Sequence, residues 1–346
     1  GFVNKNGQEI VECKYDGVNA CSEGMACVKR NGKLGFVNEN GQEIVECKYD
    51  YVEPFYEDRA FVQRNGKWGL VNKNGQEVVE CKYIMHKNFC DGFAVVKNSE
   101  KYGYIDKNGK EVIKCKYDNA KDFSEGMARV WKDGQSIYIN KNGKEVAKFK
   151  TQFAFNFSDG LARVYKDGKT VYINKNGKEV IRCKYDYAGD FNEGLAQIRN
   201  GDKFSYMNKK GKVVFKCKYK LVDKFSDGIA FVRKSKGGKM GGMDKKGKEV
   251  IKCQYNDIWN FSEGLARVKK GEKYGYVDKK GKEVIKCKYD DASMFFSNGL
   301  SRVTKFVEYD KNSIEFKYGI IDKNGKEVVK CEYSEIKHLS KKKLIA

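Results

Sequence analysis

The chain has 346 residues, with 69 Lys+Arg against 47 Asp+Glu and a formal charge of +22. Its 40% hydrophobic content is too high for a disordered chain, and no apolar run reaches the roughly 18 residues that span a bilayer. Two His and one Pro leave almost no material for a histidine triad or a His-ligated metal cluster. The chain begins at Gly1 rather than Met, as expected of a processed or excised piece, and carries no signal-peptide pattern.

One phrase recurs along the whole length. From Lys101 it reads KYGYIDKNGKEVIKCKYDNAKDFSEGMARV. Its phase is marked by Gly7, Gly41, Gly75, Gly109, Gly143, Gly177 and Gly211 at intervals of 34, then by Gly247, Gly281 and Gly325 after gaps of 36, 34 and 44. Ten repeats in one phase predict a single array over 1–346, each repeat stacking on its neighbours.

Each repeat reads as three strands, taken here from the one that begins at Tyr102. Strand A spans Tyr102 to Asp106. An Asx-x-x-Gly turn, Asp106 to Gly109, leads to strand B, Glu111 to Tyr117. Period-two alternation in strand B predicts Ile113, Cys115 and Tyr117 on one inner face and Lys114 and Lys116 outside. Strand C, Met127 to Val130, follows a longer connection. Tight turns such as Asn65-Gly66 and Asp133-Gly134 then return the chain to the next strand A. The gap of 44 comes from this turn, where about ten residues are inserted between Phe306 and Phe316. No window carries a helical apolar stripe, so the fold class is all-β.

The connection between strands B and C carries Phe, a small polar residue, an acid and Gly, as in Phe123-Ser124-Glu125-Gly126, and again at Phe157, Phe191, Phe225, Phe261 and Phe296. The Phe is expected in the core, and the Gly where a neighbour crowds the backbone. Ala two residues later (Ala26, Ala60, Ala94, Ala128, Ala162, Ala196, Ala230, Ala266) predicts a crowded inner layer.

These phased motifs resemble the WG (KWG) repeat family of bacterial β-repeat proteins across essentially all of the chain. Trp68-Gly69 preserves the name-giving pair; elsewhere the aromatic is Tyr102, Tyr274 or Tyr318. Three repeats lose the Gly, at Ser136-Ile137, Thr170-Val171 and Phe204-Ser205. The resemblance implies a repeat scaffold rather than an enzyme.

A three-stranded repeat of 34 residues is short for a propeller blade of four strands and about 40–45 residues. The expected architecture is therefore an antiparallel array stacked as an open β-superhelix or solenoid, the alternative being a closed propeller-like ring.

Nine cysteines sit at one phase of strand B without any C-x-x-C pair, which argues for buried filler rather than a metal site or disulfide ladder. Free thiols in this number point to a cytoplasmic, reducing setting. Ten near-copies of one surface favour extended binding over catalysis, with no cofactor and no small-molecule substrate expected. The candidate binding surface combines the WG-position aromatics Trp68, Tyr102, Tyr274 and Tyr318 with the outward lysines Lys114, Lys116, Lys286 and Lys288. Its expected partner is a protein, with an anionic polymer (polysaccharide, nucleic acid or lipid headgroup) as the alternative.

Overall fold

The computed structural model describes residues 2–3, 9–11, 14–294, 298–310, 313–336, 338–340 and 343–345. Gly7, Cys13, Phe296 and, near the C-terminus, Lys341, Lys342 and Ala346 lie outside them. Among the described residues every regular element is a β-strand, and no helix is long and apolar enough to cross a membrane.

Strands A and B form over Tyr102–Asp106 and Glu111–Tyr117, as their alternation requires. The sheet they join has four strands rather than three. A two-residue strand D, Met85–His86, precedes strand C at Phe93–Lys97, and the antiparallel order is D–C–A–B. Sheet and sequence repeat are thus out of phase, since strand C of one repeat pairs with strand A of the next, which in turn pairs with strand B. The tight C–A turn holds those two strands together, while the longer B–C connection crosses to the following sheet. Strand D has two residues here and up to six elsewhere, as at Gly17–Ser22, Tyr187–Asn192 and Asp257–Ser262.

Among the described residues there are nine four-stranded sheets of this kind. The chain divides into two compact units, Gly1–Arg182 and Cys183–Ala346, the first holding five of these sheets and the second four. The insertion lengthens one C–A hairpin to Leu300–Asp310 and Ser313–Asp322, with Phe306 paired to Phe316.

Within each compact unit, successive sheets pack face to face. In the first, Val95, Tyr104, Ile113 and Tyr117 of one sheet meet Ala120, Ala128, Val130 and Ile137 of the next. In the second, Tyr276, Ile285 and Tyr289 meet Ala292, Val303 and Ile321. The phased Ala residues are all buried, as are Phe123, Phe157, Phe191 and Phe225. The Gly after the Phe does not serve a crowded neighbour. A Cβ at Gly160, Gly194, Gly228, Gly264 or Gly299 would meet nothing within 4 Å. This Gly supplies positive φ instead: Glu125 and Gly126 (φ 54° and 81°) form the two-residue turn between strands D and C.

Close approach occurs at the Gly of the WG position. Tyr102 pairs with Tyr117 and Tyr104 with Ile113, so strand B carries two extra residues opposite Gly103. The bulged backbone lies over the glycine, where a Cβ would stand 2.5 Å from Ile113 O and 2.7 Å from Cys115 N. The bulge appears in the six sheets that keep this Gly. The three sheets with Ile137, Val171 or Ser205 there pair without it.

The bulge also corrects the expected cysteine face. Cys115 packs with Ile105 of its own sheet against Leu70 and Val79 of the preceding one, while Ile113 and Tyr117 face the following one. Cys81 and Cys287 are reversed in the same way. Irregular pairing redirects the side chains that strict alternation would place together.

Candidate functional site

The bulge leaves the Cys amide without a ladder partner, and the Glu that opens strand B accepts it. Cys115 N donates to Glu111 at 2.9 Å and Cys287 N to Glu283 at 2.9 Å. In three other repeats the corresponding glutamate receives a phenol from the preceding repeat: Tyr15 donates to Glu43 at 2.9 Å, Tyr49 to Glu77 at 3.2 Å and Tyr219 to Glu249 at 2.8 Å. Repeats are latched again at the D–C turns, where Glu125 accepts from Asp159 N and Gly160 N, and Glu23 from Glu57 N and Asp58 N. Turn lysines close these latches, with Lys175 bound to Glu125, Lys245 to Glu193 and Lys323 to Glu263.

The four predicted lysines differ from these. Lys114, Lys116, Lys286 and Lys288 are exposed on strand B, and none has a carboxylate partner among the described residues. Lys116 and Lys288 instead lie over the rings of Tyr117 and Tyr289, at 5.3 and 5.1 Å. Much of the turn charge is neutralised locally, so the strand-B edge carries unneutralised positive charge.

The predicted aromatics are half-buried on strand A. Strand-C cations cover three of them: Lys97 lies over Tyr102 at 5.1 Å, Arg267 over Tyr274 at 5.0 Å and Arg302 over Tyr318 at 5.3 Å. Tyr102 shares a sheet with Lys114 and Lys116, and Tyr274 with Lys286 and Lys288. The eight residues therefore fall in four sheets rather than one site. The ten cysteines among the described side chains are free. Burial pushes the Cys47, Cys115 and Cys183 thiols up to about 11, which keeps them protonated and poorly nucleophilic at neutral pH.

Variation among repeats concentrates at the opposite edge of the sheet. The residue just after the first two of strand D bonds through its backbone N–H to a fixed position of strand C, as in Glu53 to Phe61, Lys121 to Arg129 and Asp223 to Phe231. The first member of these pairs runs through Glu53, Lys87, Lys121, Phe155, Gly189, Asp223, Trp259 and Ser293, and the second varies less, being Arg at Arg129, Arg163, Arg267 and Arg302. Beside them the Ala of strand C is nearly invariant. Arg163 stacks on Phe155 at 3.7 Å and Arg267 on Trp259 at 3.8 Å. The strand-D face is therefore chemically different in every sheet.

In the first compact unit this face opens into a cavity of about 400 Å³ lined by Tyr51, Glu53, Phe55, Tyr56, Arg59, Phe61 and Phe89, among others. Behind it, His86 stacks on Phe61 at 3.7 Å and meets Trp68 edge-on at 4.4 Å. Trp68 in turn contacts Tyr51. The His86 Nε2 lies 3.7 Å from Glu53 Oε1. Burial pulls His86 down to about 4 and pushes the Glu53 carboxyl up, so at neutral pH the imidazole is uncharged and the pair is not an ion pair. Reading the repeats as copies hid this site. The usable signal was that the only Pro, Pro54, and one of two His fall together here.

The model for the family described as WG containing repeat matches residues 1–33, 35–68, 68–102, 102–135, 138–169, 172–204, 204–239, 240–274, 274–305 and 318–346. No curated protein matches the chain. Among solved structures, a eukaryotic initiation factor is similar at 11% identity and TM-score 0.48, over 86% of this chain and 94% of that one. Kluyvelomyces marxianus Hsv2 is similar at 9% identity and TM-score 0.36, over 66% and 94%. Citrobacter koseri AztD is similar at 10% identity and TM-score 0.34, over 87% and 92%. At these scores none of the three bears on function.

Proposed function

The chain belongs to the WG containing repeat family, and on that premise we propose that it is a non-enzymatic β-repeat scaffold that binds a protein partner along the strand-D face of its sheets. The observation that carries this reading is the division among repeated positions. Residues that hold a repeat array together recur from copy to copy, as the turn latches, the Phe and the strand-C Ala do in most repeats. Residues that read a partner must differ, and the Glu53, Phe155, Asp223 and Trp259 position does. A reducing, cytoplasmic setting fits the free, protonated thiols.

A second reading is favoured by the unpaired lysines. On it, the strand-B edge binds an anionic polymer through Lys114, Lys116, Lys286 and Lys288. One experiment separates the two. Partner capture from a lysate is compared for the intact chain, a Phe155→Ala/Asp223→Ala/Trp259→Ala variant and a variant with the four lysines changed to Gln. The protein reading expects the first variant to lose the partner and the second to keep it. The reverse pattern, with heparin binding lost alongside the partner, overturns it in favour of the polymer.

A further inference from the structure

At the cavity beside Glu53 several residues depart from their counterparts in other repeats. Tyr56 stands where other repeats have Ser124, Ser226 or Ser262, and Phe61 where several have Arg. His86 replaces the small residue seen as Ala120 and Ala292. Asp58 replaces the turn Gly and still adopts φ 63°, next to Glu57 at 50°. Two non-Gly residues in left-handed conformation cost on the order of 1 kcal/mol each, and they hold the turn that sets Tyr56 and Arg59 at the cavity.

Glu53 is the unusual charge. It lies partly withdrawn from water in a chain of net charge +22, yet no cation among the described residues neutralises it. Its nearest basic neighbour, His86, is uncharged. The guanidinium of Arg59 is engaged elsewhere, with Nε donating to Lys107 O at 2.7 Å and Nη1 to Asp58 O at 2.9 Å. A desolvated carboxylate without a partner is destabilising, and an incoming cation would offset that. Aromatic faces surround the same space. Phe61, stacked between His86 at 3.7 Å and Phe89 at 5.7 Å, forms a buried wall, and the ring of Tyr51 stands 52% exposed at the rim. Carboxylate and ring faces together recognise an organic cation, and about 400 Å³ admits the end of one side chain.

We propose that this cavity binds a single alkylammonium or guanidinium group, the end of a Lys or Arg side chain of a protein partner, between the Glu53 carboxylate and the exposed ring of Tyr51. The inference rests on the scaffold reading, because Tyr51 and Glu53 belong to the strand-D face, and it supplies the chemistry of one partner contact.

The test uses the full chain and ligand-observed NMR. The probes are n-butylguanidinium, the neutral n-butylurea, and the capped peptides Gly-Arg-Gly and Gly-citrulline-Gly. The expected result is binding of both guanidinium probes, the peptide more tightly, and none of the neutral pair. Glu53→Gln should weaken the charged probes by about tenfold, and Tyr51→Ala, at a half-exposed rim position, by about threefold. Equal binding of urea and guanidinium, or Glu53→Gln binding as well as the parent, overturns the site. Equal affinity for the free cation and the peptide overturns the assignment to a protein partner. Partner capture by the Phe155/Asp223/Trp259 face is read separately, so failure of this site and failure of the scaffold reading are distinguishable.

Discussion

Gly103 lies directly beneath the bulged backbone at Cys115, where a Cβ would stand 2.7 Å from the Cys115 nitrogen. The approach links the Gly of the WG position to the sheet's outer strand. It explains why Gly and the bulge are present or absent together. With the bulge, the Cys amide loses its ladder partner, and the Glu at the head of strand B takes its place.

Gly103→Val should therefore force strand B off its path. The cost expected is about 2–3 kcal/mol, typical of overpacking against backbone that cannot yield. The measurement is the urea midpoint together with hydrogen exchange at Cys115 N, which should lose its Glu111 acceptor. The control is Val171→Ala, at the same position of an unbulged sheet, which should leave the pairing of that sheet unchanged.

Phe149 illustrates the unbulged alternative. It pairs with Ser136, the slot that Tyr117 fills opposite Tyr102. Without the two extra residues, Phe149 slides into the place of the tyrosine, where its ring meets Tyr138 edge-on at 6.3 Å. Phe149→Cys should leave a void costing about 2–4 kcal/mol, the lower part of that range being expected for a half-buried ring. Thermal melting checks it, and an unchanged midpoint would refute the packing role.

His86 predicts an acid-sensitive stability. Its folded-state value of about 4 lies below the ordinary imidazole value, so the unfolded chain binds the proton first. The stabilisation is fully present above about pH 6.5 and is lost as pH falls toward 4, on the order of 2–3 kcal/mol. Glu53 acts in the opposite sense. Its raised carboxyl value means that protonation relieves a burial cost as pH falls. Denaturation of the parent and of His86→Phe between pH 7 and 4.5 should show a flatter profile for the variant, and a steeper parent profile once Glu53→Gln is added to both.

For the strand-B edge, changing Lys114, Lys116, Lys286 and Lys288 to Gln should lower heparin affinity and flatten its dependence on salt. Removing one lysine's pairing with a phosphate- or sulfate-type group reduces the log–log slope by somewhat less than 1. Titrations at two salt concentrations read this out. A slope equal to that of the parent would place any polyanion binding on other lysines.

Much of the array was legible because its signals are local. Asp106 to Gly109 makes its turn from its own side chain and its own positive φ. Ile113 and Tyr117 were placed inside, and Lys114 and Lys116 outside, by alternation alone. Cys115 was misplaced because that alternation assumes unbroken pairing, and the Gly103 bulge breaks it. Strand D went unseen because its residues change from repeat to repeat and, at Met85–His86, Asn119–Ala120 and Asp291–Ala292, it has only two. The Glu53 cavity went unseen because a repeat pattern directs attention to what recurs, whereas this site is built from Pro54, Tyr56, Asp58 and His86, which do not.

The sequence by itself determined the all-β class, the number and phase of the repeats, the turn types and the buried Phe and Ala positions, since each depends on residues close together in the chain. Only the tertiary structure decided which strands share a sheet, which face each cysteine takes, which lysines are neutralised and which carboxylate is left alone. Apart from the cysteine face, which the Gly103 bulge sets within one hairpin, those outcomes depend on residues 17 to 50 positions apart, such as Tyr104 and Lys121 or Lys141 and Asp91. No spacing rule within one repeat encodes which of them meet; the packing of one sheet on the next does.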